Sequence, residues 1–219
     1  MELEKRNYTT TQMFFDSVIL ALLALVIGVL SAGILLGSSI SAYYKTLFKA
    51  KRYDEKPDRL VKTFFDHLQS TMPQSIFAMI VIYLLAAASI FLIIQFDDTA
   101  SRILFYFILF EIGIVTLYLF PALAVFKFDG LVHLFKTVGL MANFHFFTTV
   151  KVLVPLALLT VLVIYGSPYL LVVNLIVFLF ISVFPFHQTF MIYITRIEKA
   201  DEGDQALLNA SNEKNSSED

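Results

Sequence analysis

Five apolar runs constrain this chain more than any other feature. They cover residues 13–36, 76–96, 103–126, 152–165 and 169–194, and polar or charged residues flank them. A helix needs about 20 residues to cross roughly 30 Å of hydrocarbon. Inside a bilayer the backbone finds no water to bond, so a spanning segment must satisfy its own amides as a helix. Of the 219 residues, 58% are hydrophobic and 16% charged, whereas soluble domains average about 45–50% and about 25%. The expected fold class is an all-α integral membrane protein with about five transmembrane helices. A cleaved signal peptide is the competing reading of the first run. Its apolar core would be about 7–15 residues, and residues 18–36 exceed that.

Within the first run, Gly33, Gly37 and Ser41 fall four apart, as do Ala24, Gly28 and Ala32. Small residues at that spacing let helix backbones approach closely. The first helix is expected to run on through Tyr43, Tyr44 and Lys45 to the charged turn at 51–58.

Two amphipathic segments separate the apolar runs. Residues 58–64 and 129–135 share the pattern D-x-L-V-x-x-F, 71 residues apart. In the first, Leu60, Val61, Phe64, Phe65, Leu68 and Met72 take one side, and Arg59, Lys62, Asp66 and Gln69 the other. In the second, Leu131, Leu134, Phe135, Val138 and Met141 recur at helical spacing. This is the pattern of a helix lying on a membrane surface or against a partner. Asp58 and Asp129 are expected as N-caps, and Pro73 is expected to break or bend the first segment away from the helix that follows. The pair implies a twofold repeat, 18–96 and 103–165, closed by a helix at 169–194. Residues 1–12 form a polar N-terminal segment, and 197–219 an acidic tail expected to be disordered.

Basic residues set the expected orientation. If both amphipathic segments and the tail face the cytoplasm, that side holds thirteen Lys and Arg, and the other holds Lys5, Arg6 and Arg102. The positive-inside rule then favours five helices with the N-terminus outside and the C-terminus inside. Lys5 and Arg6 are discordant.

Glu111 is the acid expected well inside a membrane helix, where a charge costs a few kcal/mol and marks a functional or helix-bonding position. Asn174, expected at similar depth, is a candidate hydrogen-bond partner. His187 and Gln188 follow Phe184-Pro185, and Phe120-Pro121 stands at comparable depth in the third helix. Two such kinks could frame a cavity. The scattered His67, His133 and His145 have no metal-ligand spacing. Cysteine is absent, which removes disulfides and thiolate chemistry, and there is no nucleophile elbow or phosphate-binding glycine loop. No catalytic residue, metal, cofactor or nucleic-acid partner is expected.

The small-rich first helix leading into Ser41-Ala42-Tyr43-Tyr44-Lys45, the Phe64-Phe65 helix, Phe120-Pro121-Ala122-Leu123-Ala124-Val125-Phe126 and Thr148-Thr149 resemble the YesL-like family of bacterial membrane proteins. That family is a domain of unknown function. The resemblance covers residues 18–194. Where the family's first helix often carries a Pro and a Thr-Ile-Gly stretch, this chain has Leu30-Ser31-Ala32-Gly33-Ile34. The resemblance implies a small multi-pass protein of the bacterial cytoplasmic membrane, encoded near carbohydrate-uptake genes. It carries over no site residues. The expected role is a non-enzymatic accessory partner of the permease or ATPase subunits of a carbohydrate ABC-type importer, docking through Leu60, Phe64, Phe65, Leu68, Leu131, Leu134, Phe135 and Val138. The alternative is a small transporter or channel, acting as a homodimer, with Glu111, Asn174 and His187 along its path.

Overall fold

A computed structural model describes residues 9–53, 60–165 and 170–216 of the chain, with side chains described as far as Arg196 except at 53 and 162. Its seven elements are all α-helices: α1 Thr10–Leu30, α2 Leu36–Tyr53, α3 Leu60–Gln95, α4 Thr99–Val125, α5 Leu131–Phe144, α6 Phe146–Tyr165 and α7 Leu170–Ser216. Five of them, α1, α3, α4, α6 and α7 as far as Arg196, are long and apolar enough to cross a membrane. Their outward faces carry large apolar residues such as Leu30, Phe77, Leu84, Phe91, Ile94, Phe107 and Leu158. Such a surface is compatible with contact with lipid.

The first apolar run is not one helix. Thr9 opens α1 with a capping box, accepting from the Gln12 amide while the Gln12 side chain accepts from the Thr9 amide. The helix stops at Leu30 because Ala32 and Gly33 turn into positive φ, 49° and 85°, a region that costs other residues strain and glycine little. Five residues of turn then reverse the chain into α2. The reversal is antiparallel: the Gly28 backbone sits beside Leu36, and the Ser17 and Tyr43 hydroxyls are 2.6 Å apart. Gly33 therefore serves a turn. Gly37 does serve close approach, because a Cβ there would collide with the Phe120 ring.

α2 is the axis of the fold. Every residue from Gly37 to Ala50 except Ile40, Lys45 and Lys49 is buried, and α1, α3, α4 and α7 all pack on it. Its inner surface is small and polar (Ser38, Ser39, Ser41, Ala42, Thr46), then aromatic. Tyr44 meets Phe186 edge to face, Tyr118 meets Phe186 likewise, and Phe186 stacks on Phe190. Offset and edge-on pairs of this kind add about 0.5–1.5 kcal/mol each beyond area burial. Tyr44 also bonds the Ser182 hydroxyl of α7 at 2.6 Å.

Long helices that follow one another along the chain alternate in direction. α2 and α3 are antiparallel, joined by Thr46–His67 and Lys45–Ser70 bonds. α6 and α7 are antiparallel through Asn174–Leu159 and Thr148–Thr189. α2 and α7 run parallel, since Tyr44 meets Ser182 and Phe48 meets His187 and Phe190. The start of α1 and the C-terminal end of the last apolar helix consequently lie at the same end of the bundle. The expectation that they lie at opposite ends assumed one helix where the chain makes a hairpin.

Further expectations need correction. Pro73 does not separate two helices: α3 runs through it for 36 residues, the missing amide leaving one carbonyl without its partner. The N-cap of α5 is Gly130, with no side-chain cap bond, so Asp129 does not cap it. Asp58 lies outside the described residues. α7 continues as helix to Ser216, where composition alone predicts no fixed structure. Residues 198–208 hold no proline, and Glu, Lys, Ala, Gln and Leu outnumber Asp201, Gly203 and Asp204 there, a balance that permits helix.

The 71-residue offset between the two amphipathic segments has an architectural counterpart. It carries α2 onto residues 107–124, inside α4, and α3 onto 131–166, the length of α5 and α6 together. In one copy the amphipathic helix is fused to the span at Pro73. In the other it is separated by the bend at His145, whose amide bonds the Met141 carbonyl. The corner is held by Thr149, which shares hydrogen bonds with Tyr118 and the Ala142 carbonyl. Along the sequence the offset thus aligns α2 with part of α4, and α3 with α5 and α6.

Candidate functional site

The expected intramembrane group does not assemble. Glu111 is half-buried and makes no hydrogen bond or ion pair among the described residues. Asn174 turns to α6, where its amide donates to the Leu159 carbonyl at 3.1 Å and it lines a groove of about 270 Å³ between α6 and α7. Gln188 is exposed. Of the four, His187 alone enters a cavity with other ionisable groups.

The expected docking residues are also redistributed. Phe64, Leu68, Leu134 and Val138 are buried in the bundle's own core, with Leu60, Leu131 and Phe135 packed against it. Their periodicity marks the face that each helix turns inward. Phe65 remains outside with Val61, Val132, Leu140 and Phe144.

The chemistry concentrates instead at the end of the bundle where α2 finishes. A pocket of about 410 Å³ opens there between α2, α3, α4 and α7. Lys45, Lys49 and Arg52 reach it from α2, His67 from α3 and His187 from α7. Its apolar wall is Phe48, Phe126, Phe190, Met191 and Ile194. The α4 and α7 parts of the lining, 124–126 and 187–194, each begin just after a proline, Pro121 or Pro185. The two Phe-Pro steps themselves do not line it.

Each polar group has a definite local setting. Lys45 donates to the Ser70 hydroxyl at 3.2 Å. Desolvation, with Lys127 and Lys49 nearby, holds its ammonium pKa below the ordinary lysine value. Thr46 donates its hydroxyl to the Ala42 carbonyl. Nδ1–H of His67 therefore donates to Thr46 Oγ1, 3.2 Å away, which directs the ring's lone pair to Nε2. His187 packs edge-on against Phe48, and its Nε2 is buried without a hydrogen-bond partner. Lys51 stands 4.0 Å over the Phe184 ring, a cation–π contact beside the pocket.

Among the described residues no acidic side chain lines this pocket, and no cluster of three His, Cys, Asp or Glu could hold a metal ion. The described lining thus combines basic side chains with an aromatic wall. Reading along the chain singled out His187 and counted Lys45, Lys49 and Arg52 only as topology signals. What it missed was their convergence. The available signal was the i, i+4 spacing of Lys45 and Lys49, which places them on one face of α2. No family model, curated protein or solved structure matches the chain.

Proposed function

We propose that this chain is a non-enzymatic multi-pass protein of the bacterial cytoplasmic membrane, of the YesL-like kind, with the basic end of its bundle in the cytoplasm. Its role in this reading is that of an accessory partner to a carbohydrate ABC-type importer. The observation that carries the reading is the asymmetry of charge between the two ends. Lys45, Lys49, Lys51, Arg52, Lys62, Lys127 and Lys136 gather at the end holding the pocket and the surface helix α5, while Arg102 at the opposite turn is paired with Asp97 at 3.0 Å. Cytoplasmic loops of membrane proteins carry this excess. With α2 as a return helix, the start of α1 is at the basic end too, and Lys5 and Arg6 just before it in sequence agree with the rule. Both amphipathic segments are then cytoplasmic. The importer assignment is supported by the resemblance in Ser41–Lys45, Phe120–Phe126 and Thr148-Thr149.

Affinity purification from the native host in mild detergent, followed by mass spectrometry, tests the role. Importer permease or ATPase subunits are expected with the chain; recovery of the chain alone overturns the partner assignment. The transporter reading has no observation to favour it, because Glu111, Asn174 and His187 do not share a lumen.

A further inference from the structure

The pocket at the basic end combines three features that the partner reading does not use. Lys45 and Lys49 stand one helical turn apart on α2, and among the described residues neither forms an ion pair with an acid; Lys45 holds only the Ser70 hydroxyl. His67 adds hydrogen-bonding capacity at the same mouth, where Arg52 also lies. His187 adds its imidazole to the wall, with Nε2 enclosed by protein atoms. Beyond these groups the lining is aromatic and aliphatic, and about 410 Å³ is far more than a bare inorganic anion fills. Ligand pockets of a few hundred Å³ with a few convergent polar groups are the ordinary form of small-molecule sites.

The geometry points to a binding site for a phosphate monoester, its oxygens held by Lys45 and Lys49 and its organic body lying against Phe48, Phe126 and Phe190. Two cations on successive turns, with an arginine beside them, suit a multiply charged tetrahedral anion, whose several oxygens each accept a charge-assisted hydrogen bond. Basic pockets on the cytoplasmic side of membrane bundles hold lipid phosphates by the same physics. The ester has two sources, a phospholipid headgroup from the adjoining leaflet or a soluble sugar phosphate from the water side.

The test is isothermal titration calorimetry on the full chain purified in dodecyl maltoside. The probes are dioctanoyl phosphatidic acid and glucose 6-phosphate, with dioctanoylglycerol and glucose as uncharged controls. At least one phosphate probe is expected to bind and neither control. Lys45→Gln with Lys49→Gln is expected to weaken binding at least tenfold, and Lys136→Gln, on the exposed face of α5, to leave it unchanged. Binding of the lipid alone assigns the leaflet source, of the sugar phosphate alone the soluble source, and of both a site that reads the phosphate itself. Failure of both probes to bind overturns the inference, as does equal affinity in the double variant. Should the double variant not purify as a single species, Lys49→Glu at the exposed position replaces it, with the same tenfold loss expected. The measurement uses the isolated chain, so its outcome is independent of whether an importer is the partner.

Discussion

Ser182→Ala is expected to destabilise the bundle more than Tyr44→Phe, although each removes the same hydrogen bond. The two hydroxyls lie 2.6 Å apart in a fully buried contact between α2 and α7. Ser182 Oγ also donates to the Leu179 carbonyl at 2.8 Å, so its proton is committed there and Tyr44 must be the donor in the pair. In Tyr44→Phe, Ser182 keeps its bond to Leu179 and the loss is one interhelical hydrogen bond, about 0.6–1.5 kcal/mol. In Ser182→Ala, the Tyr44 hydroxyl stays buried with nothing to bond, which costs about 1–3 kcal/mol. The double variant has no orphan group and is expected to be close to Tyr44→Phe alone, a clear departure from additivity. The assay is unfolding by SDS titration from dodecyl maltoside micelles, followed by circular dichroism at helical wavelengths. Equal losses in the two single variants, or additive losses in the double, would refute the assignment of donor and acceptor and with it the claim that this contact fixes α2.

Three further outcomes are expected. Gly37→Val drives a side chain into the Phe120 ring, which is itself buried, and such overpacking costs about 1–3 kcal/mol in the same titration; wild-type stability would mean that α2 and α4 are not in close contact there. Because the chain has no cysteine, single cysteines report topology directly: positions Ala32 and Thr99 are expected to react with an impermeant reagent from one side of the membrane, and Thr10 and Lys136 from the other. Reaction of Thr10 from the same side as Thr99 would disprove the hairpin. The hydrogen bonds from Ser101 to the Asp98 carboxylate hold that carboxyl below its ordinary pKa. Its capping contribution is therefore present above the ordinary carboxyl range and lost as pH falls through the lowered value. The Ser101 amide resonance should titrate with a midpoint below that of a free aspartate and not at all in Asp98→Asn; a midpoint at the free value would remove the cap.

The apolar runs were legible because a membrane span announces itself through local composition. α2 does not. Its signal is Ser38, Ser39, Ser41 and Thr46 interleaved with Tyr43 and Tyr44, which along the chain resembles the polar continuation of a span and becomes a core only when four other helices surround it. The reversal at Ala32 and Gly33 was equally obscure, since small residues four apart describe a packing seam and a turn with the same letters. For the amphipathic segments the periodicity was read correctly and its target was not: Phe64, Leu68, Leu134 and Val138 do form apolar faces, and the bundle itself occupies them. At the pocket, Lys45 and Lys49 are local neighbours, but His67 and His187 join them from α3 and α7 through folding alone.

The polar character of α2 also bears on how the chain is built. A segment with three adjacent-turn serines and several cations gains little from lipid, so α2 has no reason to partition into the bilayer when it leaves the ribosome. Its place becomes favourable once α3, α4 and α7 offer hydroxyls and aromatic rings to receive it, and Ser182 is among the last membrane residues synthesised. Completion of the interior therefore waits for the synthesis of α7. A chain stopped after residue 165 should leave residues 36–53 accessible to protease in isolated membranes, where the full chain protects them; equal protection would show that α2 seats without α7.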